Sequence, residues 1–248
     1  MNDVVHAELI KLRTSRATVG LLTAGSAYAA LNGAVTAAFA GRDQNAELGT
    51  AANLGSILRG GNVATWVILL AAIISVTGEY RHRTITATYL ATPRRGTVVA
   101  AKLTVYGVLG VAYAVVSMLL GLAAASPELL SSSADLQLGD PHVARVAIGL
   151  VVATGLFGLA GVGIGSVVRN QTLATVGAIV WLVAAENIIG SVVGWPTARW
   201  FPGQAAAAAA GSGGDTLLPM AAGAALFTAY ALAAGMIGSR LSMSRDIA

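Results

Sequence analysis

Long apolar runs alternate along this chain with short polar breaks. The runs cover about residues 17–40, 62–78, 98–125, 143–167, 173–193 and 218–238. Roughly 20 apolar residues cross the hydrocarbon of a bilayer, because each adds about 1.5 Å of helix rise. The second run is short and can begin earlier, near Ile57, while the third is long enough to tilt or project. None shows the strict alternation of a barrel strand, and lipid offers backbone groups no partner, so helices are expected. The pattern therefore predicts an all-α membrane protein of six transmembrane helices, organised as one domain over residues 1–248.

Composition agrees. Hydrophobic residues make up 56% of the chain and charged residues 10%, and the mean hydropathy is +0.73. A soluble domain carries about 25% charged residues. The absence of cysteine excludes disulfides and thiolate metal sites. The chain is basic, with a formal charge of +4, but its cations flank the apolar runs. That placement fits lipid headgroups and membrane topology, not nucleic acid. Asp3, Glu8, Lys11, Arg13 and Arg16 precede a first run too long for the apolar core of a signal peptide, so no cleavable leader is expected. Val5, Leu9 and Leu12 have i, i+4, i+7 spacing with His6, Lys11 and Arg13 on other faces. Two readings fit that segment: an amphipathic interfacial helix, or a simple charged lead-in.

An even number of crossings puts both termini on one side, and the cations choose the side. With the N-terminus inside, inner segments hold eleven of the fifteen Lys and Arg residues, and only Arg42, Arg59, Arg145 and Arg199 lie outside. The positive-inside rule favours both termini in the cytoplasm. The largest inner loop is then about 79–97, a second inner turn falls at Arg169-Asn170-Gln171, and outer loops fall near 41–61, 126–142 and 194–217. The last contains Ala205 to Ala210 and then Gly-Ser-Gly-Gly, which reads as a mobile linker.

Catalytic signatures are missing. His6, His82 and His142 all lie outside the runs. The Gly161-Val-Gly163-Ile-Gly165 stretch lacks the lysine of a P-loop and sits within a span. Gly161 and Gly165 instead form a GxxxG spacing suited to close helix packing. The chain is thus not expected to hydrolyse nucleotide, to act as an enzyme, or to hold a cofactor or metal of its own.

The most informative segment runs from Gly78 to Arg95, dense in charge and starting where a span ends. Thr84 to Leu90 lacks Pro and Gly, so a short helix along the membrane face is plausible, ended by Pro93. A basic lipid anchor is the alternative. Glu79, a basic stretch, Thr84, Leu90-x-x-Pro93-x-Arg95 and then Lys102-Leu103 resemble the inner loop of ABC type-2 exporter permeases, although Arg83 stands where that family often has glycine. Glu186-Asn187, Trp195-Pro196 and Trp200-Phe201-Pro202-Gly203 look like the family's outer re-entrant region. The resemblance implies a second permease copy, identical or related, and a separate ATPase subunit that binds ATP and magnesium. It implies a bacterial plasma-membrane location. Glu79, Tyr80, Arg81, His82, Arg83, Thr84, Leu90, Pro93 and Arg95 would then be the coupling residues between spans two and three. A stand-alone ion-coupled transporter or channel, or a membrane immunity or scaffold protein, are the competing readings.

Glu186 is the one acid read within a run. A charge at mid-bilayer costs roughly 3 kcal/mol on insertion scales. Three roles fit it: an anchor for the outer loop, a lining group of the substrate path together with Asn187, or a proton relay. Tyr28, Asn32 and Asn53 are weaker polar candidates, and Trp195, Trp200 and Phe201 suit an aromatic belt. The apolar, Ala/Gly-rich spans favour hydrophobic or amphipathic cargo such as a drug, peptide or lipid over a small ion.

Overall fold

Short polar segments end each apolar run, and the helix caps fall on them. In a computed structural model, residues 2–40, 49–82, 84, 95–131, 135–212 and 216–244 are described, and these contain helices and no strand. Helix α1 (Asn2–Thr14) is parted from α2 (Arg16–Ala40) by Ser15 alone, whose hydroxyl oxygen accepts from the Thr18 amide at 3.3 Å. Helix α3 (Ala51–Arg81) starts from a Thr50 cap. It starts well before both the expected residue 62 and Ile57, because Gly60 and Gly61 tighten into a 3₁₀ turn at Gly60–Asn62 instead of ending the helix. Helix α4 (Arg95–Ser131) has 37 residues and runs past Pro127. Asp140 caps α5 (Pro141–Val168) through the His142 amide at 2.7 Å, with Pro141 in the first turn, where its missing N–H costs nothing. The turn after α5 is tight: Arg169 adopts a left-handed φ of 57°, and Asn170 caps α6 (Gln171–Val193) by accepting from the Leu173 amide at 3.0 Å. Two short helices follow, α7 (Trp195–Ala198) and α8 (Pro202–Ala209), and then α9 (Met220–Ser244).

Five of these helices, α3, α4, α5, α6 and α9, are long and apolar enough to cross a membrane. The chain is a multi-pass helical membrane protein on that measure. Helix α2 has the length, at 25 residues, but Thr18, Thr23, Ser26, Tyr28, Asn32 and Thr36 dilute its hydropathy, and it is not among the five.

Helix α5 is central, packed against α3, α4 and α9. Its glycines make that possible. A Cβ on Gly161 would lie 2.7 Å from the Leu69 carbonyl oxygen and from Ala72 Cβ, and one on Gly165 3.0 Å from Val76 Cβ, all on α3. One on Gly163 would meet Ala234 of α9 at 2.7 Å. Close approach of backbones replaces the hydrophobic effect as the packing force in lipid. Helix α6, by contrast, turns Val176, Val183, Ile188 and Val192 outward.

The Ala205–Ala210 stretch differs from its expected role as a mobile linker. Residues up to Ala209 form α8, and Ala205, Ala206, Ala208 and Ala209 are buried against the rest of the fold. Alanine is the strongest helix former, and its small side chain lets α8 lie close to α9 at Gly223. Low complexity here encodes a buried helix.

Candidate functional site

The fold gathers four ionisable side chains from three helices at one end of the bundle. Lys102 of α4 donates to Glu8 Oε2 of α1 at 2.6 Å and to Glu79 Oε1 of α3 at 2.9 Å. Lys11 of α1 donates to Glu8 Oε1 and Glu79 Oε1, both at 2.7 Å. Glu8, Glu79 and Lys102 are buried, and Lys11 is half-buried. Two ammonium groups and two carboxylates leave the cluster neutral. Neutrality matters because an unpaired buried charge costs several kcal/mol. Burial on its own would lower the Lys11 pKa, but its hydrogen bonds and charge interactions with Glu79 and Glu8 outweigh that and hold it above the ordinary lysine value.

The cluster sits at the root of the loop between α3 and α4. Glu79 lies in the last turn of α3, and the Thr84 amide donates back to the Glu79 carbonyl at 3.0 Å. Tyr80 lies under Arg169, whose guanidinium carbon is 5.2 Å from the ring centroid. The two loops read as cytoplasmic, 79–97 and 169–171, are therefore at the same end of the molecule. Arg81 and His82 are exposed. Arg83, Leu90 and Pro93 lie outside the described residues, as does the Arg95 side chain, so the short helix expected near 84–90 is not among the described elements.

Glu8 and Lys102 were not singled out as site residues in the sequence. The spacing Val5-Leu9-Leu12 predicted an apolar face with Lys11 elsewhere. In the structure Leu9 is 46% exposed, while Glu8 is 2% exposed and Leu12 packs on the buried cluster around Val76 and Tyr106. The acid is turned inward because its partner Lys102 is on another helix, which one-segment periodicity does not register. Lys102 did carry a signal, being a cation within an apolar run.

At the far end of the bundle, Glu186 is fully buried. Its Oε1 accepts from Trp181 Nε1 at 2.6 Å and from the Gly203 amide at 2.8 Å, and its Oε2 accepts from the Gln204 amide at 3.1 Å. Gly203 and Gln204 open α8, so the carboxylate occupies the N-terminus of that helix, where amides are otherwise unpartnered and the dipole favours an anion. Asn187, the adjacent candidate, is exposed and donates to the Val183 carbonyl at 2.8 Å. The arrangement matches the anchor role among the three roles that fit Glu186. Helix α6 reaches this geometry through a π turn at Trp181–Ala185, a winding often found at functional sites.

No family model matches this chain, and no curated protein matches it in sequence. Its function must be argued from geometry.

Proposed function

We propose that this chain is the membrane-spanning permease subunit of an ATP-driven exporter, of the kind its inner loop resembles. In this reading α2 is a sixth crossing, both termini are cytoplasmic, and α1 lies along the inner interface. Two permease copies pair, and each docks a separate ATPase subunit that carries the nucleotide and its magnesium. The cargo is hydrophobic or amphipathic and leaves the cytoplasm.

The observation that carries the proposal is the Glu8–Lys11–Glu79–Lys102 cluster. It ties the interfacial helix to both helix ends that flank the loop. A push on residues 79–97 is then delivered to α1, α3 and α4 together, not absorbed by one flexible joint. ATP binding favours one arrangement of the ATPase pair, and the linked helices shift population with it. A buried ionic network suits this role because its partners and geometry are specific, whereas an apolar contact slides.

The test is affinity purification of the full chain from its native membranes. A P-loop subunit is expected to accompany it, with ATPase activity stimulated by amphiphiles, and Glu79→Arg is expected to abolish that stimulation. Purification without a nucleotide-binding subunit, or ion-gradient-driven transport by the chain alone, would overturn the proposal in favour of an ion-coupled transporter. An associated ATPase that no amphiphile stimulates would favour a scaffold or immunity role.

A further inference from the structure

Three cavities with different linings share wall residues in series. The first, of about 360 Å³, lies between α5, α6 and α9 and is walled by apolar groups such as Phe157, Leu173, Ala178 and Phe227. The second, of about 190 Å³, shares Phe157 and Leu182 with the first and adds Thr65, Gln204 and Ser212. The third, of about 400 Å³, shares Asn62 and Trp66 with the second and adds Tyr28, Asn32 and Arg59. Polarity thus rises stepwise from one cavity to the next.

The third cavity is rich in donors. Among the described residues, Arg59 forms no ion pair, and neither its guanidinium, the amide nitrogens of Asn32 and Asn62, the Tyr28 hydroxyl nor the Trp66 indole donates a hydrogen bond. No carboxylate is among its described lining groups, and Glu186 is occupied in capping α8. Tyr28, Arg59 and Asn62 are exposed, so the third cavity is an open groove, and donors that converge there around one cation without a partner among the described residues select an acceptor-rich anion. Arg59 precedes Glu79 by 20 residues on one helix, which is about 30 Å, the thickness of the hydrocarbon core. The cation therefore stands at one membrane interface while the ion cluster stands at the other. Both irregular windings border these cavities. The 3₁₀ turn supplies Gly60 and Asn62 to the third, and the π turn supplies Trp181 and Leu182 to the first. Such turns mark places where a helix bends or yields.

The structure assigns these cavities to an amphipathic anion, with its phosphate, sulfate or carboxylate head at Arg59 and its hydrocarbon body in the apolar cavity. This deepens the exporter reading by naming the charge of its cargo, and it rests on that reading only for the word cargo. The binding site stands without it.

The experiment uses the full chain in nanodiscs of zwitterionic phosphatidylcholine, without ATP or partner subunit, so that failure of the exporter reading leaves it untouched. Dodecyl phosphate, dodecyltrimethylammonium and inorganic phosphate are titrated, with affinities referred to the concentration in the bilayer. Dodecyl phosphate is expected to bind at least 10-fold tighter than the cationic probe, and inorganic phosphate not to bind at millimolar concentration. Arg59→Gln is expected to weaken dodecyl phosphate roughly 10- to 100-fold, the loss of a charge-assisted contact, with thermal stability unchanged. Arg145→Gln, an exposed cation outside the cavities, is expected to leave affinity as it is. Equal affinity for both dodecyl probes, or an Arg59→Gln variant that binds like the wild type, would overturn the assignment. Displacement of dodecyl phosphate by phosphatidylglycerol in the nanodisc would give the site to a resident lipid and overturn the cargo assignment.

Discussion

Replacing Lys102 with methionine keeps an unbranched side chain, shorter by the terminal atom, and removes its charge. The wild-type side chain is 4% exposed, and its ammonium is bonded at 2.6 and 2.9 Å to two carboxylates. After the change, Glu8 and Glu79 share only Lys11, and the cluster carries one uncompensated negative charge. Breaking a buried pair by removing one partner costs about 3–5 kcal/mol. Lys11 remains within 2.7 Å of both carboxylates and is 40% exposed, so water and the surviving cation bring the loss to the lower end, about 3 kcal/mol. On soluble-domain scaling that is a fall of roughly 6–12 °C in Tm. The assay is thermal unfolding of the full chain in micelles at neutral pH, extended to a cycle with Glu8→Gln. The double variant restores neutrality through Glu79 and Lys11. Its loss should fall short of the summed single losses by at least about 1 kcal/mol, the scale of coupling between residues in contact. Additive losses, or a Lys102→Met variant within about 0.5 kcal/mol of wild type, would refute the claim that these charges act as one unit.

The remaining predictions concern pH, the Glu186 cap on α8 and glycine packing. Because the Lys11 pKa is raised in the folded state, its contribution is full below the ordinary lysine value of 10.5 and is lost as pH rises through the folded value. Lys11→Met should therefore be less stable than wild type at pH 9, and the gap in Tm should close above pH 10.5; a gap that persists or widens there contradicts the assignment. Glu186→Gln presents an amide where three donors converge, at a cost of about 1–3 kcal/mol. Hydrogen exchange at Gly203 and Gln204 should speed up by roughly 10-fold or more, and unchanged protection would remove the capping role. Gly161→Ala should destabilise by about 1–3 kcal/mol through its contact with α3. Gly20→Ala, with nothing within 4 Å of the added carbon, should be neutral or gain up to about 1 kcal/mol. Thermal unfolding of the pair separates close packing from helix propensity.

The apolar runs told where most helices lie, because lipid imposes length and polarity on every crossing. They were least informative where a helix carries irregular winding or polar residues. The second run reads as starting near 62 or Ile57, and the helix starts at Ala51 and continues through one tight turn at Gly60–Asn62. The polar side chains of α2 hid the reason for their presence: Tyr28 and Asn32 border the donor-rich cavity, and that cavity exists only when α2 meets α3. Of the candidate site, Glu79 and Tyr80 were visible as charge and aromatic at a span end. Glu8 was not, because the partner that draws it into the bundle, Lys102, is 94 residues away, although Lys11 lies only three residues on. Pairwise partnership across helices is not a property of any window of sequence. An anchoring role for Glu186 is among those read from the sequence, but its donors were hidden, since they include backbone amides that any residue could supply.

The π turn of α6 is in effect an insertion that the helix has swallowed. One residue is absorbed between Trp181 and Ala185, so the winding after it runs out of phase with the winding before it. Continued at 3.6 residues per turn, α6 would carry Glu186 about 100° around its axis, away from the α8 amides it caps. Register in this helix is thus held by a count of residues as well as by their kinds. Deleting one residue within 181–185 should restore regular winding and leave Glu186 facing the hairpin, whereas adding one should swing the carboxylate outward. A chain that differs from this one by a single gap there can keep the same outer architecture, although its sequence seems displaced by one position from that point to Val193.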